Sequence, residues 1–169
     1  AATKRADELI SYTYAHLYGI RQTGLRFFTV YGPWGRPDMA PILFATAISK
    51  GEPIRVFNNG DMARDFTYVD DIVDGVIRAL DRPATGTPPH VVYNLGNHRS
   101  ERLMDFIAAI EAAMGRKAEI NFEPMQPGDV PVTYADIDAT QAALGYEPRT
   151  PISEGVPKFV AWYKSHYGA

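Results

Sequence analysis

The 169-residue chain is 46% hydrophobic, carries a formal net charge of −3 and has no cysteine. That length suits one domain with a sizeable core, and the missing thiols exclude disulfides and zinc–thiolate sites, in keeping with a cytoplasmic protein. No stretch approaches the ~20 apolar residues that cross a bilayer, none reads as a basic-then-apolar leader, and the scattered basic residues leave no electrostatic footprint for nucleic acid.

The opening segment AATKRADELISYTYAHLYG has the spacing of a helix. Ala6, Ile10, Thr13 and Leu17 follow one face, Leu9 widens it, and Gly19 is a terminator able to adopt the left-handed conformation. Its front end is unorthodox: no capping side chain precedes Ala1, and Lys4 and Arg5 sit where the helix dipole disfavours positive charge. Next, QTGLRFFTVYG reads as one buried strand with Leu25, Phe27, Phe28, Val30 and Tyr31 as core, ended by Gly32-Pro33. GPWGRPDMAP is a loop by its Gly and Pro content, and a helix runs from about Ile42 to Ser49, closed by Gly51.

PIRVFNNGD gives a short strand and an Asn-Gly turn at Asn59-Gly60. RDFTYV is extended. Asp70 is expected to cap a helix with Ile72, Val73, Val76, Ile77 and Leu80 as its stripe, and at a helix N-terminus the Asp70-Asp71 pair suits capping better than a metal. PATGTPPH is a linker and HVVYNLG another strand. Ser100 is expected to cap a helix that ends at Gly115, AEINFEP is a strand, and EPMQPGDVPV is a proline-rich loop. A short helix over Asp138 to Leu144 and a longer one in PISEGVPKFVAWYKSHY close the chain. Strands alternating with helices indicate an α/β architecture. No G-x-G-x-x-G turn is present for a dinucleotide pyrophosphate. His16, His90, His98 and His166 lie in unrelated segments without metal or base spacing, and read as surface residues.

Taken together, AATK, LRFFTVYGPWGRPDM, VFNNGDMARDFTYVDDIVDG and QPGDVPVTYAD resemble the C-terminal half of the extended short-chain dehydrogenase/reductases, the NAD-dependent epimerase/dehydratase family. Within it, YGPWGRPDMA looks most like the UDP-glucuronate 4-epimerases. The resemblance covers essentially the whole chain. It implies the rear of an extended Rossmann-type fold interleaved with a small substrate-binding subdomain over residues 1–169, with bound NAD and a UDP-sugar substrate.

The family's catalytic signature is Y-x-x-x-K on a helix. Lys4 matches its lysine, which places the tyrosine immediately before Ala1 and explains both the absent cap and the basic first turn. A tyrosine near pKa 10 must lose about three units to act as a base near neutrality, and an ammonium one helical turn away helps to supply that. On its own, Lys4 would read as a solvated helix lysine. Phe27 and Phe28 are implied beside the nicotinamide and Thr29 beside the sugar, although all three are ordinary strand residues.

Arg36 offers a planar fork that matches a carboxylate, so by resemblance it meets the uronate carboxylate; pairing with Asp38 is the plainer alternative. Arg64 of the R-D-F motif is implied on the diphosphate, or else it pairs with Asp65. Val56 and Phe57 precede the turn on a strand that in relatives reads the uracil edge, and as sequence they are core. Gln126 departs from the family's frequent R-P-G-D, which leaves more of the diphosphate to Arg64. Asp129 matches that motif's aspartate near the ribose hydroxyls, or is a routine turn residue.

The expected function is that of a UDP-glucuronate 4-epimerase portion, inverting C4 by oxidation and re-reduction, with no turnover by this polypeptide alone. A dehydratase or decarboxylase of the same family is the nearer alternative. A non-catalytic nucleotide-sugar-binding or dimerisation module is the more distant one. By resemblance to family dimers, a homodimer is expected through the helices near the N-terminus and over 70–82.

Overall fold

The computed structural model describes residues 1–168. Helix α1 (Ala2–Tyr18) ends on Gly19 at φ 64°, the left-handed stop expected of it. The apolar run that follows is not one strand. β1 (Gln22–Phe27) pairs in parallel with β6 (His90–Leu95), whereas β2 (Thr29–Tyr31) pairs in parallel with β5 (Phe66–Tyr68). The switch falls at Phe28: its N–H donates to the Leu95 carbonyl, and the next N–H, of Thr29, donates to that of Asp65. Continuous hydrophobicity hides such a change of partner, because both halves are apolar. Phe27, expected in the core, is 53% exposed.

Helix α2 (Ala40–Lys50) starts two residues before the expected Ile42, since Pro41 is tolerated in a first turn, where its missing N–H has no partner to lose. β3 (Ile54–Val56) pairs in parallel with β8 (Ile120–Phe122). The expected Asn-Gly turn follows β3: the Asp61 N–H donates to the Asn58 carbonyl around Asn59 and Gly60, at φ 51° and 80°, and Asn58 before them is left-handed as well, at φ 49°. Asparagine tolerates that region better than most side chains. β4 (Ala63–Arg64) pairs antiparallel with β7 (Glu101–Arg102).

Two expected caps are not caps. Helix α3 (Val69–Asp81) begins before Asp70, with Tyr68 at its cap position and both aspartates in its first turn. There they complement the dipole, and the Asp71 carboxylate accepts the backbone N–H groups of Arg149 and Thr150 instead. Helix α4 (Leu103–Met114) begins after β7, capped by Arg102, and the Ser100 hydroxyl is buried without a partner. Helices α5 (Asp138–Leu144) and α6 (Ile152–Tyr167) match expectation.

Two cores result. The larger gathers α2, α4 and α6 around β2, β3 and β5, with Phe66 stacked on Phe106 at 3.9 Å between ring centres. The smaller joins Ile72 and Ala79 of α3 to Leu95, Ile137, Leu144 and Tyr146. Alternation along β1 decides where the first and third helices lie. Gln22 donates to the Ser11 carbonyl and Arg26 to Glu8, so that face of β1 carries α1. Leu25, on the other face, packs into the smaller core with Ile72. A methyl group on Gly75 of α3 would lie 2.8 Å from the Leu95 side chain, so that helix rests directly on β6. α1 and α3 therefore cover opposite faces of β1–β6. Their apolar residues (Leu9, Ile10 and Leu17 on one, Val73, Ile77 and Leu80 on the other) are exposed, but they form two separate surfaces rather than the single intersubunit bundle expected from sequence.

The α1–β1 contact is electrostatic at its key point. Glu8 accepts from Arg26 at 2.6 and 2.8 Å and also pairs with Arg5. The Arg26 guanidinium, helped by Arg5, holds the Glu8 carboxyl down from about 4.5 to about 2. A depressed folded-state pKa stabilises the fold above the ordinary value and loses that contribution as the pH falls towards 2. Glu8→Gln is therefore expected to melt below the parent at pH 7, with the gap closing between pH 4.5 and 2. Paired thermal melts across that range check it, and a gap that does not change with pH would contradict it.

Candidate functional site

A cavity of about 840 Å³ opens beside the larger core. Its wall includes Thr29 from β2, Pro37 and Met39 from the following loop, Leu43 from α2, Phe57, Arg64 and Asp129. That volume lies within the range of small-ligand sites, and an apolar lining with a few convergent polar groups is the usual composition. Most of these side chains come from the carboxyl ends of strands or the loops that leave them, which is where open α/β sheets bind ligands.

Arg64 is the best-anchored charge here. Its side chain is only 15% exposed. It donates to the carbonyls of Ala63 and Pro131 at 2.9 and 3.0 Å and to Asp129 at 2.8 Å. Arg64 and Asp129, 65 residues apart in sequence, thus meet directly. Asp65, the partner considered for Arg64, turns away instead. Its carboxylate is fully buried and accepts the N–H groups of Asn97 at 2.6 Å, Arg99 at 3.3 Å and Ala135 at 3.0 Å, and the Thr67 hydroxyl at 3.0 Å.

Val56 and Phe57 part company. Val56 is fully buried in the larger core and its carbonyl accepts the Glu123 N–H, while Phe57 reaches the cavity with the Arg55 guanidinium 5.1 Å above its ring. Gln126 is exposed, and its carbonyl accepts the Asp129 N–H in the turn that presents the aspartate.

Arg36 stands apart from the cavity wall. It is 74% exposed and forms a forked pair with Asp38 at 3.1 and 2.5 Å, the plainer of the two expectations. The hydrogen bond from Arg36 lowers the Asp38 carboxyl, and Asp38 in turn raises the Arg36 guanidinium. Pro37 and Met39 on either side of that aspartate do line the cavity, so the loop sits at its rim.

Lys4 is placed by α1. Ser11 lies opposite Gln22 and Glu8 opposite Arg26, so the helix runs antiparallel to β1 and its first turn stands at the strand's carboxyl end. Phe27, Phe28 and Thr29 occupy that same end. Lys4 itself is 87% exposed and lies 3.7 Å from Asp7.

Residues 1–96 match the NAD dependent epimerase/dehydratase family. The chain belongs to that family. It is 48% identical to Protein CapI of Staphylococcus aureus, over 99% of this chain and 54% of that protein. It is also 48% identical to UDP-glucuronate 4-epimerase 4 of Arabidopsis thaliana, over 99% of this chain and 41% of that one. Among solved structures it is similar to UDP-glucuronic acid 4-epimerase from Bacillus cereus in complex with UDP-glucuronic acid and NAD, at a TM-score of 0.90 and 32% identity, over 98% of this chain and 52% of that one. The chain spans about half the length of the curated relatives it matches. Its α/β architecture with parallel strand pairs is that of such Rossmann-type epimerases.

The sequence did not reveal the apolar wall of the cavity, namely Met39, Leu43, Met62, Leu103 and Tyr167. These lie in four separate segments, and only the fold shows that they converge. Of the histidines, His90 is not a surface residue: it is half-buried between α1 and β6, bonded to the Ser11 hydroxyl at 3.0 Å and edge-on to Tyr12.

Asp65 holds this frame by accepting from three backbone N–H groups and a hydroxyl, so Asp65→Ala takes the acceptor away from four donors of the interior. Its expected cost is roughly 3 kcal/mol or more in urea-unfolding free energy. A variant within 0.5 kcal/mol of the parent would show that the carboxylate is dispensable.

Proposed function

We propose that this chain is the nucleotide-sugar-gripping portion of a UDP-glucuronate 4-epimerase. The observation that carries the proposal is the meeting of Thr29, Phe57, Arg64 and Asp129 on one cavity, at the carboxyl ends of the strands. Arg64, fixed by two carbonyls, presents its charge to the diphosphate, where a charge-assisted bond to a double anion is strongest. Asp129 takes the ribose hydroxyls, Phe57 lies against the base, and Thr29 offers a hydroxyl to the sugar. Arg36 exchanges the Asp38 carboxylate for that of the uronate. The resemblance to UDP-glucuronate 4-epimerases, rather than to epimerases of neutral sugars alone, supports that last assignment.

The end of β1 also suits a nicotinamide. Phe27 presents a 53% exposed ring there, and the first turn of α1 brings an ammonium to the same edge. Lys4 would bind the cofactor ribose and favour the ionised form of a neighbouring phenol, and Phe27 and Phe28 would flank the nicotinamide. NAD, when bound, supplies the acceptor and donor of the C4 hydride. None of these residues forms a glycine-rich pyrophosphate turn or a tyrosine four positions before a lysine, so binding rather than turnover is proposed for this polypeptide alone. The exposed apolar face of α1 is the surface proposed to pair two copies. The absence of cysteine suits the cytoplasm, and no described helix is long and apolar enough to cross a membrane.

Calorimetric titration with UDP-glucuronate, UDP-galacturonate and UDP-glucose tests the proposal. The uronates are expected to bind more tightly. Arg36→Ala should remove that preference, a loss of roughly tenfold or more for a charged hydrogen-bonded pair, while Arg64→Ala should weaken all three alike. If none of the three binds, these residues do not form a working substrate site.

A further inference from the structure

An aromatic cluster lies at the rim of the cavity, outside every role assigned so far. Trp34 sits two positions before Arg36, and its ring is 4.9 Å from His166 and 5.5 Å from Trp162, both on α6. Trp162 and His166 are one helical turn apart and stack on each other at 5.2 Å with planes 12° apart. Tyr167, edge-on to His166 at 4.8 Å, lines the cavity. The last turn of α6 therefore touches the Arg36 loop and the cavity at once.

Trp34 meets these rings from an unfavourable backbone state. Its φ is 63°, in a region where a bulky side chain is a true outlier and persists only when its surroundings impose it. The side chain is 76% exposed, so burial does not hold it there; the two edge and tilted contacts with α6 are what it gains. The entrance of the loop is set by Gly32: it is buried with φ 141°, and a methyl group there would lie 2.6 Å from the Val69 side chain, so no other residue fits. Its exit is tied down, because the Arg36 carbonyl accepts the Met39 N–H at the start of α2. Between Gly32 and the start of α2, Trp34 is the side chain of the loop that makes aromatic contacts.

We propose that Trp34, clasped by Trp162 and His166, is the positioning residue that holds the Arg36 loop at the cavity rim, so that preference for a charged over a neutral sugar is set partly by the C-terminal turn of α6. The inference rests on the uronate role given to Arg36. Loss of the clasp frees the loop about Gly32 and leaves the nucleotide contacts of Arg64 and Asp129 in place.

Two measurements on this chain test it, with Trp34→Ala, His166→Ala, His166→Phe and Arg36→Ala. The first is the ratio of UDP-glucuronate to UDP-glucose affinity. Trp34→Ala is expected to reduce it about fivefold, the lower end of couplings between distinct sites, with UDP-glucose affinity unchanged. His166→Ala should reduce it as well, and His166→Phe, which keeps a stacking ring, should restore it. A merely structural defect would weaken both ligands together. The second is hydrogen exchange of residues 32–39 in the free chain, expected to quicken in Trp34→Ala and not in Arg36→Ala. If Arg36→Ala leaves the ratio unchanged, the uronate assignment fails and this inference with it. If Arg36→Ala lowers the ratio but Trp34→Ala alters neither ratio nor exchange, only the clasp fails. If no UDP-sugar binds, exchange alone decides: unchanged exchange in Trp34→Ala overturns the clasp, and faster exchange confined to the loop supports it.

Discussion

The fully buried carboxylate of Asp65 is the constraint on which the rest of the site depends. An ionisable group with no exposure survives in a core only when its oxygens are saturated, and here three backbone N–H groups and a hydroxyl do so. The donors come from the loop after β6 and from the segment leading to Ala135, so one side chain stitches together chain regions 32 and 70 residues away. Its backbone is equally engaged: its carbonyl accepts the Thr29 N–H and its N–H donates to the Thr133 hydroxyl. That arrangement fixes where β2 takes over from β1. It also fixes the direction of Arg64, because adjacent residues on an extended segment point to opposite sides. With Asp65 inward, Arg64 faces the cavity.

Each arginine implicated in anion binding already holds a carboxylate: Arg64 has Asp129 and Arg36 has Asp38. The two pairs differ in what an incoming anion must displace. Arg64 keeps two carbonyl contacts whatever Asp129 does, so its fork is preorganised and little ordering remains for ligand binding. Arg36 has only its exposed partner two residues away, an interaction of the kind that contributes little on a surface. The uronate carboxylate proposed for this position would meet a mild competitor there.

Sequence reasoning found most elements and failed where tertiary structure redirects a local signal. Glycine stops at Gly19, Gly51 and Gly115 were legible because left-handed backbone is a local property. The break at Phe28 was not, since which strand a segment pairs with is set by residues 37 or more positions away. Asp70 and Ser100 carried the right chemistry for caps, but β5 ran directly into α3, and β7 formed between Ser100 and α4. For the site, Arg64, Phe57, Thr29 and Asp129 were named by motif and do converge. Val56 was named with Phe57 and is buried, because it ends β3 on the core side while Phe57 already belongs to the turn that leaves the strand. The opposition of α1 and α3 across β1–β6 was beyond reach, since the faces that two helices cover follow from strand register and not from their own stripes.

The contrast between the two arginines gives the site a division of labour. A rigid, strand-held guanidinium suits the diphosphate, which every UDP-sugar shares and whose position need not vary. For the proposed uronate role, a guanidinium on a loop suits the group that differs between sugars, and its contribution depends on how well that loop is held. The pair with Asp38 lies within the same few residues, so contacts from outside the loop add to its positional precision. The rings of α6 meet the loop's middle at Trp34. Under the proposed roles, affinity for the nucleotide and choice of sugar are anchored in different parts of the fold, the first in the Asp65 frame and the second in the last turn of α6.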